Sequence, residues 1–530
     1  MSNPFVELVS SYRTRTGSAF VHEHLVAALN KAKKAGLELT PEQLYVRTNI
    51  DDLIDDVISG RIDYRVIILT GDAGDGKTCV GERLSWKGAG RPLTNPVEDV
   101  KIAGEDWKFV KDASENQVAI PIVVQEALDG RYRLLVAANE GKLRSEASGL
   151  GDIWTQIIEP SLHDRHEDSD LQVLESTMQE RRVLVINFRM RSEVENLTNG
   201  LLVSWTNPDY WENGFCRNCP KSDICPILAN ASDLRDERKR HNVVRLASWL
   251  ELTGQRLPVR RLQGILAYML TGGTSCRHVL DTPLNQETSL KRHRYWNAAF
   301  LKTDAEPAAA QLSHVNAESI ASPSRDAELL QQAASSLEIP SARNEANLDS
   351  TSARWATALD LTSPSQVEKL LAEVTRALNY LCDAPDNKEA ISNTLRNPGA
   401  LTDTNLVNVR IRFGSQTQLG LRRLPRVPQT VKRYLGDKAD RLEVYVKADP
   451  NIALRLNVIL ISRLIALRTS RLSPLFLGNY LLDVQRFLQR IVMFKQSQSG
   501  EAAEIVVSNH DGGQLSIKFS NKKLHLNHVA

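Results

Sequence analysis

The chain carries a complete phosphate-binding loop, Gly71-Asp72-Ala73-Gly74-Asp75-Gly76-Lys77-Thr78, which matches G-x-x-x-x-G-K-[ST] at every position. The apolar residues 66–70 before it predict a buried parallel strand, and residues 79–84 can begin a helix. In a strand–loop–helix unit, backbone N–H groups and the helix dipole attract an anion. An ordinary glycine-rich turn is the alternative. We expect Lys77 to contact the β- and γ-phosphates of a nucleotide and Thr78 to ligate Mg²⁺.

Composition excludes several classes of protein. At 530 residues the chain is long enough for three or more domains of roughly 150 residues each. Six cysteines in this length do not make a secreted disulfide framework. The first residues lack a signal-peptide pattern, and the most apolar run, 456–467, is too short to span a bilayer. We therefore expect a cytoplasmic protein with no membrane partner.

The N-terminal 60 residues have helical spacing of apolar side chains. They include four clustered acidic residues, Asp51, Asp52, Asp55 and Asp56. A metal site is one interpretation of this cluster. Its spacing instead favours the solvent-facing side of an amphipathic helix.

A nucleotide hydrolase also needs an acidic residue that holds Mg²⁺, usually at the end of a second strand. Residues 107–112 are the best candidate strand, although two lysines interrupt its apolar pattern. We expect Asp112 to hold the metal through water and Glu115 to polarise the attacking water. A polar loop after an edge strand is the alternative.

Two further predicted strands end in polar residues. Residues 132–139 end in Asn139, at the edge where open α/β sheets bind ligands, so we expect Asn139 to reach the γ-phosphate or the attacking water. The alternative is an Asn that ends the strand through its own side chain. After the strand that begins at residue 182, Arg189 or Arg191 is expected to act as an arginine finger in a homo-oligomer, or else as a surface ion-pair partner.

The order of these elements resembles the AAA+ class of P-loop ATPases. The resemblance implies an ATP-binding α/β core with Asn139 in the sensor-one position and a helical lid after the core. Helical spacing over residues 243–270 supplies the lid. Arg260 and Arg261 open its second helix, where that class carries a sensor-two arginine. A solvated helix start is the alternative for this pair.

A cysteine cluster precedes the predicted lid. Its C-x₂-C-x₅-C motif is formed by Cys216, Cys219 and Cys225. This spacing is typical of metal ligands, and we expect Cys276 as the fourth ligand, with His278 and His241 as alternatives. Four thiolates hold structural Zn²⁺ or an iron–sulfur cluster, and zinc is favoured because no other feature indicates redox chemistry. Unlinked thiols in a loop are the remaining alternative.

Charge is segregated along the chain. Residues 401–530 contain 20 Lys or Arg against 9 Asp or Glu, so this part carries +11 and the remainder −9 of the overall +2. A basic domain beside an ATPase indicates nucleic-acid binding, directly or within a complex. The alternative is that the charges face acidic partner proteins or solubilise the domain. The densest basic positions are Arg410, Arg412, Arg422, Arg423, Arg426, Lys432 and Arg433.

The sequence predicts an α/β protein with an AAA+-like P-loop NTPase core, a helical lid, a cysteine-rich metal insert and a basic α+β C-terminal domain. Residues rich in Ala, Ser, Glu and Asn form an expected linker, and Asp511-Gly512-Gly513 is an expected hairpin turn. The expected regions are N-terminal helices (1–60), ATPase core (61–205), metal insert and lid (206–302), linker (303–354) and C-terminal domain (355–530).

Three features together resemble the DptF (DndF) family of P-loop ATPases from phosphorothioation-dependent restriction in bacteria. They are residues 69–78, the strand end Ala138-Asn139-Glu140-Gly141 and the cysteine cluster. The resemblance covers roughly residues 40–280. It implies an ATPase subunit of an antiphage restriction complex that serves as motor or switch for partner subunits on DNA. A nucleotide-gated scaffold or DNA-binding module of another defence system, with little hydrolysis, is the alternative.

Overall fold

A computed structural model describes most of the chain. The described residues are 3–13, 25–34, 36–113, 118–164, 166–191, 193–212, 214–252, 256–283, 286, 290, 293–295, 364–383, 418–424, 426–436, 441–469, 474–499, 503–508, 514–520 and 523–529. The predictions for the linker, for Glu115 and for two of the basic positions, Arg410 and Arg412, lie outside these residues.

The described residues form two compact units. Unit one contains the described residues up to 251, those between 256 and 295, and residues 426–436. Unit two contains residues 364–383, 418–424 and the described residues from 441 onward. Residues 426–436 thus pack with the phosphate-loop unit, although the sequence places them within the predicted C-terminal domain.

Unit one is built around a five-stranded, mostly parallel sheet. Its strands are β1 (Val66–Thr70), β2 (Val97–Ile102), β3 (Glu105–Val110), β4 (Arg133–Ala137) and β5 (Val183–Asn187), in the order β2-β3-β4-β1-β5. Four strands are parallel, and β2 alone runs antiparallel, as a hairpin with β3. The sheet makes unit one a mixed α/β structure compatible with a P-loop-like core.

Burial explains why these strands were recognisable. Every residue of β1 and β5 is buried, as expected for central parallel strands covered on both faces. The predicted strand at 66–70 is confirmed. The strand predicted at 107–112 is present but spans residues 105–110, and those that begin at 132 and 182 are confirmed with slightly shorter bounds. Strand β2 was not predicted, because only two of its six side chains, Val100 and Ile102, are buried.

Helices surround the sheet and continue beyond it. Those up to β5 are α1 (Pro4–Arg13), α2 (Leu25–Lys34), α3 (Pro41–Leu44), α4 (Ile50–Ile58), α5 (Lys77–Ala89), α6 (Ile120–Leu128), α7 (Glu140–Ser145), α8 (Ala147–Ile153), α9 (Glu159–Leu162) and α10 (Asp168–Arg181). Those after β5 are α11 (Val194–Trp205), α12 (Pro208–Trp211), α13 (Gly214–Arg217), α14 (Pro226–Arg235), α15 (Glu237–Leu252), α16 (Val259–Thr271) and α17 (Cys276–Asp281). Among the described helices, none combines the length and apolar character needed to cross a membrane.

The helices after β5 form a second hydrophobic core with the N-terminal helix. Phe5 of α1 stacks on Tyr210 with ring centroids 4.2 Å apart, and Trp205 and Trp211 are almost fully buried beside it. Leu266 of α16 belongs to the same cluster. Because an amphipathic helix must bury its apolar face, α16 is held in place by this helical layer, where it packs against α1, α11 and α14.

The prediction that the acidic cluster of α4 faces solvent is wrong for two of its four residues. Asp51 is only 1% exposed and Asp56 is fully buried. Residues 426–436 include α19 (Gln429–Leu435), which packs against α4 and supplies Arg433 and Tyr434 as partners of Asp56. The helical pattern of α4 could not show this cover, because the covering segment lies far away in the sequence. Asp52 and Asp55 are half-buried and pair with Arg47.

Unit two combines helices with two antiparallel three-stranded sheets. Its helices are α18 (Pro364–Asp383), α20 (Val458–Thr469) and α21 (Leu481–Ser499). One sheet has the order β6-β7-β8, from β6 (Leu419–Leu424), β7 (Arg441–Val446) and β8 (Asp449–Leu456). The other has the order β11-β10-β9, from β9 (Ala503–Ser508), β10 (Gln514–Ser520) and β11 (Lys523–Val529). β9 and β10 pair antiparallel, as the predicted hairpin requires, whereas the predicted turn residues 511–513 lie outside the described residues.

Candidate functional site

The phosphate loop connects the carboxyl end of β1 to the first turn of α5. Gly74 and Gly76 have φ of 87° and 91°, a left-handed conformation that disfavours residues with a side chain. A Cβ at Gly74 would lie 2.9 Å from the Cβ of Arg260, whose backbone N–H donates to the Gly74 carbonyl at 3.1 Å. The N-terminus of α16 therefore lies directly on the phosphate loop, and only glycine allows this approach.

Lys77 and Thr78 occupy the first turn of α5. The Lys77 Nζ donates to the carbonyl oxygens of Gly71 at 3.2 Å and Asp72 at 2.7 Å. Burial lowers the pKa of Lys77, an effect that the nearby carboxylates of Asp75, Asp112 and Asp72 oppose. The ammonium group is thus held within the phosphate loop by two backbone carbonyl oxygens, which phosphate oxygens would have to replace.

The Thr78 hydroxyl lies at the carboxyl end of β3, the strand that precedes Asp112. Its Oγ1 donates to the carbonyl oxygen of Lys111 at 3.2 Å. Asp112 follows directly and acts electrostatically on Lys77. Lys111 follows the last residue of β3, and its Nζ donates to the carbonyl oxygen of Leu93 at 2.7 Å. A hydroxyl and a carboxylate, both good Mg²⁺ ligands, are therefore brought to the same edge of the sheet.

Asn139 follows β4, which lies between β1 and β3 in the sheet. Its exposed carboxamide accepts the backbone N–H of Lys142 at 2.8 Å and so caps α7. This is the local role that the sequence offered as the alternative to phosphate contact. Asn139 nevertheless lies at the same edge as the phosphate loop, because parallel strands end together.

The two candidate arginines after β5 have different surroundings. Arg189 donates to Glu140 at 2.9 Å and has its Nε 3.8 Å from Asp72 of the same chain's phosphate loop. Arg191 forms an ion pair with Glu193, and both side chains are at least nine-tenths buried. Arg189 thus borders the loop, whereas Arg191 belongs to a buried pair.

Arg256, which was not predicted from the sequence, contacts two carboxylates of the phosphate loop. Its guanidinium pairs with Asp72, donates to Asp75 Oδ2 at 2.6 Å and reaches the carbonyl of Phe188 at 3.1 Å. Asp75 is only 4% exposed, and burial raises its pKa, whereas Arg256 and Lys77 oppose that rise. Nothing in the local sequence distinguishes Arg256 from an ordinary surface arginine, because its two carboxylate partners lie more than 180 residues away.

Arg260 and Arg261 take separate places at the start of α16. Arg260 covers Gly74, as described above. Arg261 donates to the carbonyl of Arg256 at 3.3 Å, and its buried Nε has no hydrogen-bond partner among the described residues. Burial lowers the pKa of Arg261. Arg260 therefore contacts the phosphate loop directly, while Arg261 supports the segment that carries Arg256.

The four candidate metal-binding cysteines are neighbours in space. Cys276 begins α17, and its pKa is raised by burial and by the proximity of Cys216 and Cys219. Burial raises the pKa of Cys225 to about 11, with smaller contributions from Cys276 and Cys216. Asn3 donates to Cys216 Sγ at 3.2 Å and ties the N-terminal segment to the cluster.

The donor set of the cysteine cluster fits a structural metal. Four thiols on three short elements can supply the tetrahedral sulfur ligation that Zn²⁺ prefers. Within the described residues, however, no three His, Cys, Asp or Glu side chains are close enough to form a metal site as they stand. The ring of His278, an alternative ligand, lies edge-on to that of His293. His241 is exposed on α15.

Several predicted nucleic-acid contacts are engaged within the fold. In unit two, Arg422 pairs with the fully buried Glu443 at 2.8 Å. In unit one, Arg426 pairs with Asp168 and Arg433 with Asp56. The charge excess of residues 401–530 is therefore partly neutralised by partners within the chain.

In comparisons with known proteins, no protein-family model, no curated protein and no solved structure matched the chain significantly.

Proposed function

We propose that unit one binds ATP with Mg²⁺ at the phosphate loop. The observation that carries the proposal is the convergence of Lys77, Thr78 and Asp112 at the carboxyl edge of the sheet. Lys77 exchanges its carbonyl partners for β- and γ-phosphate oxygens, and the backbone N–H groups of the loop bind the remaining oxygens. Thr78 ligates the metal directly and Asp112 holds it through water.

We further propose that the bound ATP is hydrolysed and that the fold is AAA+-like. The position of β4 between β1 and β3 supports this, because it places Asn139 between the phosphate loop and the acidic strand. The contact of α16 with Gly74 supports the assignment of the helical layer as a lid. Arg189 is then a γ-phosphate contact of the same chain, and Glu115 is the proposed water-polarising residue.

The cellular role is proposed from the resemblance to the DptF (DndF) family. The chain acts in the cytoplasm as an ATPase subunit of an antiphage restriction complex, with partner subunits and DNA as its targets. ATP binding changes the contact between the phosphate loop and α16, and this change is passed to the partners. The four cysteines hold a structural Zn²⁺, which elemental analysis of the purified protein distinguishes from iron.

Replacement of Lys77 by Ala tests nucleotide hydrolysis. We expect ATP turnover to fall by at least about 100-fold, because a preorganised charge at the transferred phosphate is lost. Lys87→Ala is a matched control, since Lys87 lies on the same helix and pairs with the half-buried Asp55 of α4 rather than with the phosphate loop. Unchanged turnover in Lys77→Ala would falsify the assignment of the phosphate loop.

A scaffold that binds ATP but barely hydrolyses it is the second candidate function. The observation that favours it is the engagement of the Asn139 carboxamide oxygen in capping α7. Replacement of Asp112 by Asn separates the two functions. A scaffold keeps its low turnover and its restriction activity in this variant, whereas an ATPase loses both while still binding nucleotide.

A further inference from the structure

A cationic cleft lies at the opposite edge of the sheet from the phosphate loop. It is lined by residues 61–64, which lead into β1, by Gln179 and Arg182 before β5, and by residues 429, 430 and 432–434 of α19. Its volume is about 720 Å³. Because the two lead-in segments precede parallel strands, the cleft opens at the amino edge of the sheet, and all its lining residues belong to unit one.

The first pair of cations in the cleft shares a single carboxylate. Arg61 lies 2.7 Å from Asp56 and Arg433 lies 3.0 Å from it. Asp56 is fully buried, whereas the two guanidiniums are 58% and 54% exposed. One carboxylate neutralises one guanidinium, so one positive charge remains, with N–H donors that face the cleft.

On the other side of the cleft, two arginines again share a single carboxylate. Arg182 pairs with Asp63, which also accepts from Arg133 at 3.3 Å. Lys432 adds a further cation to the lining. Glu175 is the third nearby carboxylate, and the backbone N–H of Thr430 donates to it at 2.9 Å. The lining of the cleft therefore contains four cationic side chains, Arg61, Arg182, Lys432 and Arg433, and one carboxylate, Asp63.

The lining also limits which anion fits. Tyr64 and Tyr434 are only 7% and 1% exposed, so their rings are not available for stacking. The polar side chains of Gln179, Gln429 and Thr430 add hydrogen-bonding groups. Base recognition in nucleic-acid sites depends on stacking or on base-edge contacts, whereas phosphates need only charge and donors. The cleft is thus suited to phosphate groups rather than to bases.

We propose that this cleft binds backbone phosphates of DNA without regard to base sequence. The proposal rests on the proposed function, which makes DNA a target of the complex. It moves the DNA contact from the C-terminal unit, where Arg422 is neutralised by Glu443, to unit one. Because the cleft and the phosphate loop lie at opposite edges of the sheet, DNA and ATP can be bound at the same time.

The test uses the full chain and a short fluorescein-labelled duplex of random sequence. Binding is measured by anisotropy at several salt concentrations between about 50 and 200 mM. We expect the double variant Arg182→Gln/Lys432→Gln to weaken binding by about tenfold and to lower the salt slope by about 2, since each lost phosphate contact removes about one unit. The control, Lys101→Gln/Arg238→Gln, removes two exposed cations elsewhere and should leave affinity near that of the wild type.

A variant that is expected to strengthen DNA binding excludes a folding defect as the cause of weaker binding in the double variant. Asp63 is 73% exposed, so Asp63→Asn removes a negative charge from the cleft at little cost in stability. We expect this variant to bind the duplex more tightly than the wild type. Equal affinity in the wild type and the double variant overturns the proposal. A double variant that loses affinity for tripolyphosphate but not for DNA also overturns it, because the cleft then takes a small polyanion.

Failure of the cleft and failure of the ATPase give different results. If Lys77→Ala leaves turnover unchanged but Arg182→Gln/Lys432→Gln weakens DNA binding, the cleft stands and the phosphate-loop assignment falls. If Lys77→Ala abolishes turnover while neither cleft variant changes DNA affinity, the ATPase stands and the cleft assignment falls.

Discussion

The two edges of the central sheet each hold a buried carboxylate that an arginine from a distant segment contacts. At the carboxyl edge, Asp75 of the phosphate loop is 4% exposed and pairs with Arg256. At the amino edge, Asp56 of α4 is fully buried and pairs with Arg61 and Arg433. The two sites differ in their ratio of cationic side chains to carboxylates, and that ratio indicates what each edge can bind.

At the carboxyl edge the charges are nearly balanced. Asp72 and Asp75 face Arg256 and Arg189, so an incoming phosphate depends on Lys77 and on the backbone N–H groups of the loop. Nucleotide binding there requires an exchange of partners, which couples it to the segment that carries Arg256. At the amino edge the cleft lining contains four cationic side chains and one carboxylate, so a phosphate there meets an excess of positive charge.

The largest effect is expected from Arg256→Ala. This change leaves Asp75 buried without its guanidinium partner, which should cost about 3 kcal/mol of unfolding free energy. Urea unfolding, with and without ATP, measures the loss. Arg277→Ala is the control, because Arg277 is 91% exposed and pairs only weakly with Asp281. A loss no larger than in the control would show that Arg256 does not hold the phosphate loop.

The loss in Arg256→Ala should depend on pH. Burial already raises the pKa of Asp75 in the folded chain, and removal of Arg256 takes away a charge that opposes this rise. The folded pKa of Asp75 then lies further above its unfolded value. Protonation relieves the buried charge, so the variant should be closest to the wild type at low pH and lose stability as pH rises.

A smaller effect is expected from Asp56→Ala at the other edge. The change deprives the buried Tyr434 hydroxyl of its acceptor, which should cost about 2 kcal/mol, but both arginines can turn to solvent. No buried charge is left behind, so the loss is smaller than in Arg256→Ala. Thermal or urea unfolding measures it, with the exposed Asp63→Ala as control. If Asp56→Ala costs more than Arg256→Ala, unpaired buried charge is not what distinguishes the two edges.

The smallest effect is expected from Asp55→Asn, next to Asp56 on the same helix. Asp55 is 32% exposed, and its pKa is lowered because Lys87 and Arg47 outweigh the effect of burial. Exposed pairs of this kind contribute a few tenths of a kcal/mol. That contribution is present above the unfolded pKa of Asp55 and is lost as pH falls through the folded value. Urea midpoints between neutral and acidic pH should therefore converge for variant and wild type.

The local features of the candidate site could be predicted from the sequence. The phosphate loop and the apolar runs of β1, β4 and β5 carry their signal in adjacent residues. The spacing of Cys216, Cys219 and Cys225 likewise indicated thiols close enough to affect one another's pKa, although they do not form a metal site as they stand. Strand β2 was not predicted, because a partly exposed edge strand has no strong hydrophobic period.

The contacts that define each edge were decided by the tertiary structure. Arg256 lies 181 residues from Asp75, and Arg433 lies 377 residues from Asp56. The prediction that Asp56 faces solvent was wrong because a distant segment is involved here as well. Helix α19 covers a face of α4 that the residue spacing of α4 indicates to be polar. A motif and a hydrophobic period encode short-range backbone geometry and burial. The sequence by itself therefore determined the phosphate loop and the main strands, and only the packing of distant segments decided which charges meet at each edge.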